Sequence, residues 1–146
     1  MEDIFVRNKA LFGEKACEKL KNSHVLIFGV GGVGGAAAEG VCRAGIGKLT
    51  LVDPDKFDSS NLNRQIFSDF ENVGKDKVFE AQSRLKKINP EIEVVPLKVF
   101  WEKGGDESIF EGVDFVVDAI DTVPSKLDII RICSEKNIPV ISSMGT

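Results

Sequence analysis

The chain has 146 residues, about the length of one domain, and 42% of them are hydrophobic, which is enough for a buried core. Its formal net charge is −4, which argues against a surface that coats nucleic acid non-specifically. No segment is apolar for long enough to cross a bilayer, and the start MEDIFVRN lacks the basic and apolar regions of a signal peptide. We therefore expect a cytoplasmic protein without a membrane segment.

The cysteines and the single histidine argue against several kinds of site. Cys17, Cys42 and Cys133 are widely spaced and odd in number, which fits neither a disulfide framework nor a C-x-x-C metal site. We expect them to act as small hydrophobic side chains. His24 stands at the entrance to a strand and is expected at an edge or surface, so neither a Ser-His-Asp nor a Cys-His catalytic site is predicted.

The first elements are a helix, a strand and a second helix. Apolar residues at helical spacing over 10–20, interrupted by Gly13, predict a short leading helix. The run VLIF at 25–28 is continuous and apolar, as is typical of a parallel strand covered on both faces. Five glycines fall within the next seven residues, and an Ala-rich helix over 36–44 follows, with Gly45 as its predicted end.

This order of strand, glycine-rich turn and helix is the order that a nucleotide site requires. Gly29, Gly31 and Gly34 fit the pattern G-x-G-x-x-G, which permits a tight turn and lets a phosphate approach the backbone at a helix N-terminus. A second strand over 49–52 ends in Asp53, which can accept a hydrogen bond from a ribose hydroxyl. We predict a nucleotide site here; the alternative is a turn that only packs a helix tightly onto a sheet.

Residues 54–74 have no sustained period, and so long a loop in a compact domain is usually functional or disordered. Apolar side chains recur along it, which predicts that it folds onto the domain and is functional. These apolar side chains are Phe57, Leu62, Ile66, Phe67 and Phe70.

The remaining chain continues the alternation of helices and strands. We predict helices over 75–88, 108–111 and 124–136, the last capped near Thr122, and strands over 92–97, 113–119 and 138–142. Phe100 and Trp101, in the loop after 97, are expected in the core rather than against a ligand.

Strands that alternate with helices imply right-handed crossovers and one sheet. The predicted fold is therefore α/β: Rossmann-like and doubly wound, with a mainly parallel sheet and helices on both faces. A ligand belongs at the carboxyl ends of its strands, where Gly31, Gly32, Asp53, Asp121 and residues 143–146 are expected to meet.

Two chemistries fit such a pocket, a dehydrogenase with a dinucleotide and an adenylating enzyme with ATP. The loop places Arg64 soon after Asp53, and Lys77 stands at the start of the next helix. Hydride transfer does not need these cations, whereas nucleotidyl transfer develops negative charge that they can stabilise. Asp121 offers an oxygen ligand for Mg²⁺ that bridges phosphates. The alternative is that Arg64 and Lys77 are solvated surface charges and Asp121 is a helix-capping acid.

The segments GVGGVGG, VDPDKFDSSNLNRQI, VGKDK and DAIDT, in this order and spacing, resemble the ATP-binding part of the ubiquitin-activating-enzyme-like superfamily. That superfamily includes the adenylating enzymes of molybdopterin and thiamine sulphur-carrier proteins. The resemblance covers about residues 7–146. It implies that residues 1–146 form an ATP-binding adenylation domain, the N-terminal part of a longer protein that assembles as a symmetric homodimer.

The resemblance also implies which residues bind the nucleotide. It makes Asp53 the ribose ligand, places Asp55 and Asn61 along the nucleotide pocket, and gives Gln65 a supporting role. The glycines that it assigns to the phosphate turn are Gly29, Gly31, Gly32 and Gly34.

The residues that the resemblance implicates in catalysis are Arg64, Lys77 and Asp121. Arg64 would stabilise developing charge, and in such enzymes it reaches into a partner subunit's site. Lys77 would contact phosphate, and Asp121 would be the acid associated with Mg²⁺. Arg7 would correspond to the N-terminal arginine of the superfamily.

Within the superfamily, RNKALFGEKA, NLNRQI and DAIDTVPSK resemble the group that dehydrates threonylcarbamoyladenosine in tRNA. Lys126 lies in the third segment, and Thr122 stands where sulphur-carrier enzymes typically have Asn. This likeness implies that ATP activates the threonine carboxylate, which then cyclises with loss of water as AMP is released. Three alternatives stay open: adenylation of the C-terminus of a ubiquitin-like sulphur-carrier protein, a non-catalytic nucleotide-binding module, and an NAD-dependent oxidoreductase.

Overall fold

A five-stranded parallel sheet with helices on both faces forms the centre of the computed structural model, which describes residues 3–144. The strand order is β3-β2-β1-β4-β5, and every neighbouring pair is parallel. The strands are β1 (His24–Phe28), β2 (Lys48–Val52), β3 (Glu93–Leu97), β4 (Phe115–Asp118) and β5 (Val140–Ser142). The helices are α1 (Val6–Phe12), α2 (Glu14–Lys21), α3 (Gly32–Ala44), α4 (Lys77–Ile88) and α5 (Val123–Glu135). The predicted Rossmann-like α/β fold is confirmed.

The core consists of two layers, one on each face of the sheet. Val25 and Ile27 of β1 face α3 and α4, whereas Leu26 and Phe28 face the other side, with α5 and the loop that carries Trp101. Side chains alternate across a strand, so a strand covered on both faces is apolar at every position. This explains the continuous run VLIF.

The N-terminal segment differs from the prediction of one short helix. It forms two helices, α1 and α2, which meet at Gly13, where φ is +86°. That left-handed backbone conformation cannot continue a right-handed helix, and glycine adopts it without steric cost. Neither helix contains a buried residue, so both lie on the outside of the domain.

The long loop is folded onto the domain as predicted, although only part of its apolar set holds it there. Phe57 and Phe67 are buried in the core layer under α3 and α4, and Ser59–Asn63 forms a 3₁₀ helix. Ile66 is exposed, and Phe70 is 90% exposed, so these two residues are not the core anchors that the sequence predicted. Periodicity could not separate the two groups, because the loop has no period.

Smaller predictions were partly right. Cys42 and Cys133 are buried, and burial raises the pKa of the Cys133 thiol to about 11, as expected of an inert side chain. His24 is half-buried at the start of β1, with its Nε2 atom 2.7 Å from Thr50 Oγ1. Thr122 precedes α5, but its side chain makes no capping hydrogen bond.

None of the helices in residues 3–144 has the length and apolar composition that crossing a bilayer requires.

Close backbone contact at two glycines joins α3 to the sheet. A Cβ atom on Gly34 would lie 1.7 Å from the carbonyl oxygen of Gly29, and one on Gly29 would lie 2.6 Å from the carbonyl oxygen of Ala119. Gly29 also has φ of +91°. These contacts bring the first turn of α3 against the ends of β1 and β4. The helix can lie this close only because Gly29 and Gly34 have no Cβ atom.

Gly34→Ala should therefore lower the free energy of unfolding by about 3 kcal/mol or more, because the added methyl group would overlap a backbone oxygen. Gly40→Ala is the matched control in the same helix, since a Cβ atom there would meet nothing within 4 Å. It should raise stability by about 0.5–1 kcal/mol, as expected for an exposed helix interior. Urea unfolding of both variants tests this difference. Equal stability of the two would show that α3 does not need this close approach.

Candidate nucleotide-binding site

A cavity of about 510 Å³ lies at the carboxyl ends of β1, β2 and β4, within the size range of small-ligand sites. This is the edge of the sheet at which the sequence predicted a ligand. The structure brings nine of the candidate residues together around it. They are Gly29, Gly31, Gly32, Asp53, Asp55, Arg64, Gln65, Lys77 and Asp121.

The N-terminus of α3 opens into this cavity at the glycine turn. Gly31 is the N-cap residue and no side chain caps the helix, so the N–H groups of its first turn have no intrahelical partner. A Cβ atom on Gly31 or Gly32 would approach only side-chain or carbonyl atoms of Gln65 and Arg64, at 3.6 Å or more. Free N–H groups and the positive end of the helix dipole suit a phosphate. Gly34 does not line the cavity; it supports the turn from below.

Asp53 holds the glycine turn to the end of β2. Its side chain is buried, with Oδ2 accepting a hydrogen bond from the backbone N–H of Val30 at 2.8 Å and Oδ1 accepting one from Asp55 at 2.8 Å. Burial raises the pKa of Asp53, while these hydrogen bonds and the nearby Lys77 ammonium act in the opposite direction. The carboxylate therefore has a structural role besides any contact with a ribose, which the sequence prediction did not include.

Lys77 presents a buried ammonium group to the cavity from the first position of α4. The residue is 7% exposed, and its Nζ atom lies 5.7 Å from the centroid of the Phe57 ring. Among the described residues, no carboxylate lies within 4.0 Å of this Nζ atom. A buried cation without a carboxylate in direct contact is costly, particularly at a helix N-terminus. The ammonium group therefore has no direct ion-pair partner among these residues and can form one with an anionic ligand.

Arg64 adds a second cation at the mouth of the cavity. It is exposed, and its Nη1 atom donates hydrogen bonds to Asn63 Oδ1 at 2.8 Å and to the Ser60 carbonyl at 3.2 Å. A guanidinium has five N–H donors, so several stay available for a ligand. Arg64 lines the cavity of its own chain.

Gln65 adds an amide group to the cavity lining, and Asp121 adds a carboxylate. Gln65 is buried, and its Oε1 atom has no hydrogen-bond partner within residues 3–144. Asp121 is exposed on the loop after β4 and lines the cavity. Within residues 3–144 no group of three His, Cys, Asp or Glu side chains could hold a metal. Asp121 as a single carboxylate ligand fits Mg²⁺, which usually completes its coordination with water and phosphate oxygens.

Two further candidate residues lie outside the cavity. Asn61 caps the 3₁₀ helix, because its Oδ1 atom accepts the backbone N–H of Asp58 at 2.8 Å, and it is not among the lining residues. Arg7 is exposed on α1, and its neighbour Asn8 donates to carbonyls at the C-terminal end of α3. Because α3 has 13 residues, that end is about 18 Å from the glycine turn. Arg7 therefore cannot reach the cavity of its own chain in this conformation.

A buried ion pair behind the cavity was missed by the sequence analysis. Asp118 is 0% exposed, and its Oδ2 atom accepts hydrogen bonds from Lys126 Nζ at 3.0 Å and from Ser142 Oγ at 2.6 Å. Lys126 also donates to the carbonyl of Ser143 at 2.7 Å. The pair joins β4, α5 and the residues after β5, and so fixes the walls that carry Asp121 and Met144. The sequence does contain a signal for this pair, because Asp118 ends an apolar strand and Lys126 follows eight residues later.

The aromatic residues after β3 divide between core and cavity. Trp101 is buried as expected, edge-on to Phe28 with ring centroids 5.5 Å apart, and its Nε1 atom donates to Asp128 Oδ2 at 3.1 Å. Phe100 was also expected in the core but is 51% exposed. Both residues line the cavity.

Known proteins resemble this chain in sequence and in structure. The tRNA threonylcarbamoyladenosine dehydratase of Bacillus subtilis (strain 168) is 44% identical over 142 residues, which are 97% of this chain and 56% of that protein. The molybdopterin-synthase adenylyltransferase of Escherichia coli (strain K12) is 36% identical over 125 residues, which are 86% of this chain and 50% of that protein.

A solved structure is also similar. The crystal structure of E. coli tRNA N6-threonylcarbamoyladenosine dehydratase, TcdA, in complex with ATP superimposes with a TM-score of 0.93 and 37% identity. The alignment covers 97% of this chain and 58% of TcdA. The chain thus spans about half the length of the relatives that it matches. The ThiF family model matches residues 5–146 and confirms the resemblance to adenylating enzymes. The chain belongs to the ThiF family.

Proposed function

We propose that residues 1–146 form an ATP-binding domain of an enzyme that adenylates a carboxylate, with threonylcarbamoyladenosine in tRNA as the substrate. The observation that carries this proposal is the buried ammonium of Lys77, which has no carboxylate within 4.0 Å among the described residues and faces the same cavity as Arg64 and the free N-terminus of α3. These three positive groups can bind the phosphates of a nucleotide, and the carboxylate of Asp121 on the same lining can bind a Mg²⁺ ion that accompanies them.

The chemistry follows from that charge distribution. The N–H groups of the glycine turn and Lys77 hold the phosphates, and Asp53 orients the ribose. An oxygen of the substrate carboxylate attacks the α-phosphorus, the bond to the pyrophosphate breaks, and negative charge accumulates on the phosphoryl oxygens. Arg64 stabilises that charge from the mouth of the cavity. Ring closure by the threonylcarbamoyl group onto the activated carbonyl carbon then expels AMP, which carries away the oxygen that is formally lost as water.

Mg²⁺ belongs to this proposal as a bound ion. Asp121 would hold it together with phosphate and water oxygens, and it would neutralise part of the phosphate charge. In the absence of ATP, a single carboxylate ligand gives weak affinity, so the ion is expected to bind together with the nucleotide.

Related proteins differ in the acceptor, the molecule whose carboxylate is adenylated. The dehydratases of Bacillus subtilis and Escherichia coli are 44% and 38% identical to this chain, against 36% for the molybdopterin-synthase adenylyltransferase. These values favour tRNA, and a ubiquitin-like sulphur-carrier protein is the second candidate. An NAD-dependent oxidoreductase is disfavoured because it has no use for Lys77 and Arg64 at the phosphates.

Assembly and location complete the proposal. We propose a homodimer that acts in the cytoplasm, where tRNA is modified. Asn8, the neighbour of Arg7, contacts the C-terminal end of α3, which is about 18 Å from the glycine turn of the same chain. If Arg7 contributes to a site, the site must belong to the partner chain.

A tRNA-dependent release of AMP tests the reaction. The protein, incubated with labelled ATP and Mg²⁺, should release AMP with tRNA that carries threonylcarbamoyladenosine and not with tRNA that lacks it. AMP formation with a Gly-Gly-ended carrier protein instead would select the second candidate. No AMP with either acceptor would exclude both enzymatic functions and leave a nucleotide-binding module.

Arg64→Ala should lower the rate of AMP formation by about 100- to 1,000-fold, because it removes a donor that stabilises the transition state. ATP affinity should change much less. Arg84→Ala is the matched control, since Arg84 is exposed on α4 and is not part of the cavity lining. Full activity of the Arg64 variant would contradict the role assigned to this guanidinium.

Lys77→Met should weaken ATP binding about tenfold or more, because a charge-assisted hydrogen bond contributes about 1.5–3 kcal/mol. The same variant should unfold at an equal or higher urea concentration, since it removes a buried charge that has no carboxylate in direct contact. Calorimetric titration and urea unfolding measure the two effects. Lys87→Met, at the exposed C-terminal end of α4, should change neither. Loss of stability with unchanged ATP affinity would show that Lys77 is structural.

A further inference from the structure

One buried carboxylate connects several elements behind the cavity. Asp118, the last residue of β4, is 0% exposed, and its Oδ2 atom accepts hydrogen bonds from Lys126 Nζ at 3.0 Å and from Ser142 Oγ at 2.6 Å. Its Oδ1 atom accepts one from the backbone N–H of Ile120 at 3.3 Å. The side chain of Asp118 therefore links the end of β4 to α5, to β5 and to the loop that carries Asp121.

The loop between β4 and α5, residues 119–122, forms part of the cavity wall. Backbone hydrogen bonds hold its two ends, one to β1 at 2.8 Å and one to the first turn of α5 at 3.1 Å. Between these ends, the N–H of Ile120 is bound by the carboxylate of Asp118. This contact fixes the loop backbone directly before Asp121.

Asp121 depends on that backbone for its position. Its side chain is exposed and forms no ion pair among residues 3–144. Thr122, the next residue, makes no side-chain capping hydrogen bond to α5. Because neither of these contacts ties the loop to the helix, the direction of the Asp121 carboxylate follows from the conformation of the loop backbone.

The counter-ion of Asp118 holds a second segment of the cavity wall. Lys126 Nζ donates to the carbonyl of Ser143 at 2.7 Å, and the N–H of Ser143 donates to the carbonyl of Asp118 at 2.8 Å. Met144, the next residue, lines the cavity. One ion pair thus fixes two segments of the wall, although Asp118 and Lys126 do not line the cavity themselves.

Stability alone does not explain why this pair is charged. Lys126 is 4% exposed, so both charges have lost their water, and replacing a buried ion pair by apolar residues of similar volume is often neutral or stabilising. An apolar pair could fill the same space, but it could not accept the N–H of Ile120 or donate to the carbonyl of Ser143. What the charged pair adds is therefore hydrogen bonding to the backbone of the cavity wall.

We propose that Asp118 is a positioning residue for Asp121, and that Lys126 is the counter-ion that allows Asp118 to be buried. The pair holds the loop in the conformation that directs the Asp121 carboxylate toward Mg²⁺ and the phosphates. This inference rests on the proposed function, because the direction of Asp121 matters only if the cavity binds ATP with Mg²⁺. It goes further by assigning a functional role to an ion pair behind the cavity wall.

The first test removes the pair without leaving a buried charge. Asp118→Leu/Lys126→Met keeps the branching of one side chain and nearly the length of the other, so urea unfolding should give a midpoint equal to or higher than that of the parent protein. Hydrogen–deuterium exchange of the peptide that covers residues 119–122 should become about tenfold faster or more, because Ile120 loses its acceptor. Mass spectrometry of the ligand-free protein measures this exchange.

The same variant should respond differently to Mg²⁺. The Mg²⁺ concentration that gives half-maximal AMP formation should rise about tenfold, because the Asp121 carboxylate is no longer held in place. ATP affinity in EDTA, measured by calorimetric titration, should stay that of the parent protein. A general loosening of the fold would instead weaken ATP binding in EDTA as well.

Two further double variants separate positioning from charge and from stability. Asp118→Asn/Lys126→Met removes both charges but keeps an oxygen that can accept the N–H of Ile120, so it should restore slow exchange and the Mg²⁺ dependence of the parent protein. Lys48→Met/Glu93→Gln is the matched control, since it removes an exposed ion pair at the opposite ends of β2 and β3 and should change neither quantity.

The outcomes separate this inference from the proposed function. If AMP forms with tRNA but exchange in the Asp118→Leu/Lys126→Met variant matches that of the control, the positioning role is wrong and the enzymatic function stands. Unfolding of that variant at a much lower urea concentration would assign the pair to stability and overturn the inference. Fast exchange in Asp118→Asn/Lys126→Met would also overturn it, because the oxygen would then not be what holds Ile120. If the parent protein binds no ATP, both are wrong.

Discussion

The rest of the structure depends on the close approach of α3 to the ends of β1 and β4. The Cα of Gly34 lies against the carbonyl oxygen of Gly29, and Gly29 in turn lies against Ala119. No side chain fits between these backbones. The close packing holds the first turn of α3 at the cavity. The free N–H groups of α3 are thereby held next to the loop after β4, which carries Asp121. Asp53 secures the same turn through the N–H of Val30.

Two buried lysines show how the same side chain acquires different roles from its surroundings. Lys126 is paired with Asp118 and hydrogen-bonded to Ser142 and Ser143, so its charge is balanced within the protein. Lys77 faces the cavity, and no carboxylate among the described residues lies within 4.0 Å of its ammonium group. A paired buried charge holds segments of the fold together, whereas an unpaired one favours an anionic ligand. The two lysines therefore differ in whether a ligand could still pair with them.

The site predicted from the sequence was incomplete in instructive ways. Residues within three positions of the end of a strand, such as Gly31, Asp53 and Asp121, reach the cavity because parallel strands end at one edge of the sheet. Asn61 lies in the same loop as Arg64, yet its side chain caps a 3₁₀ helix. Loop residues without a period cannot be assigned a direction from sequence, because their backbone angles follow from contacts with the rest of the fold.

The amino-acid sequence by itself determined the α/β class, the positions of the five strands and the glycine turn, because the alternation of apolar runs, helices and glycines is a local property. It also determined the family, since its motifs occur in order and spacing. Only the tertiary structure decided which polar groups are paired. The partnership of Asp118 with Lys126, the orphan Oε1 atom of Gln65 and the exposure of Phe100 depend on residues that are distant in the chain. Burial and pairing arise from contacts between elements, and a sequence pattern records only which elements are present.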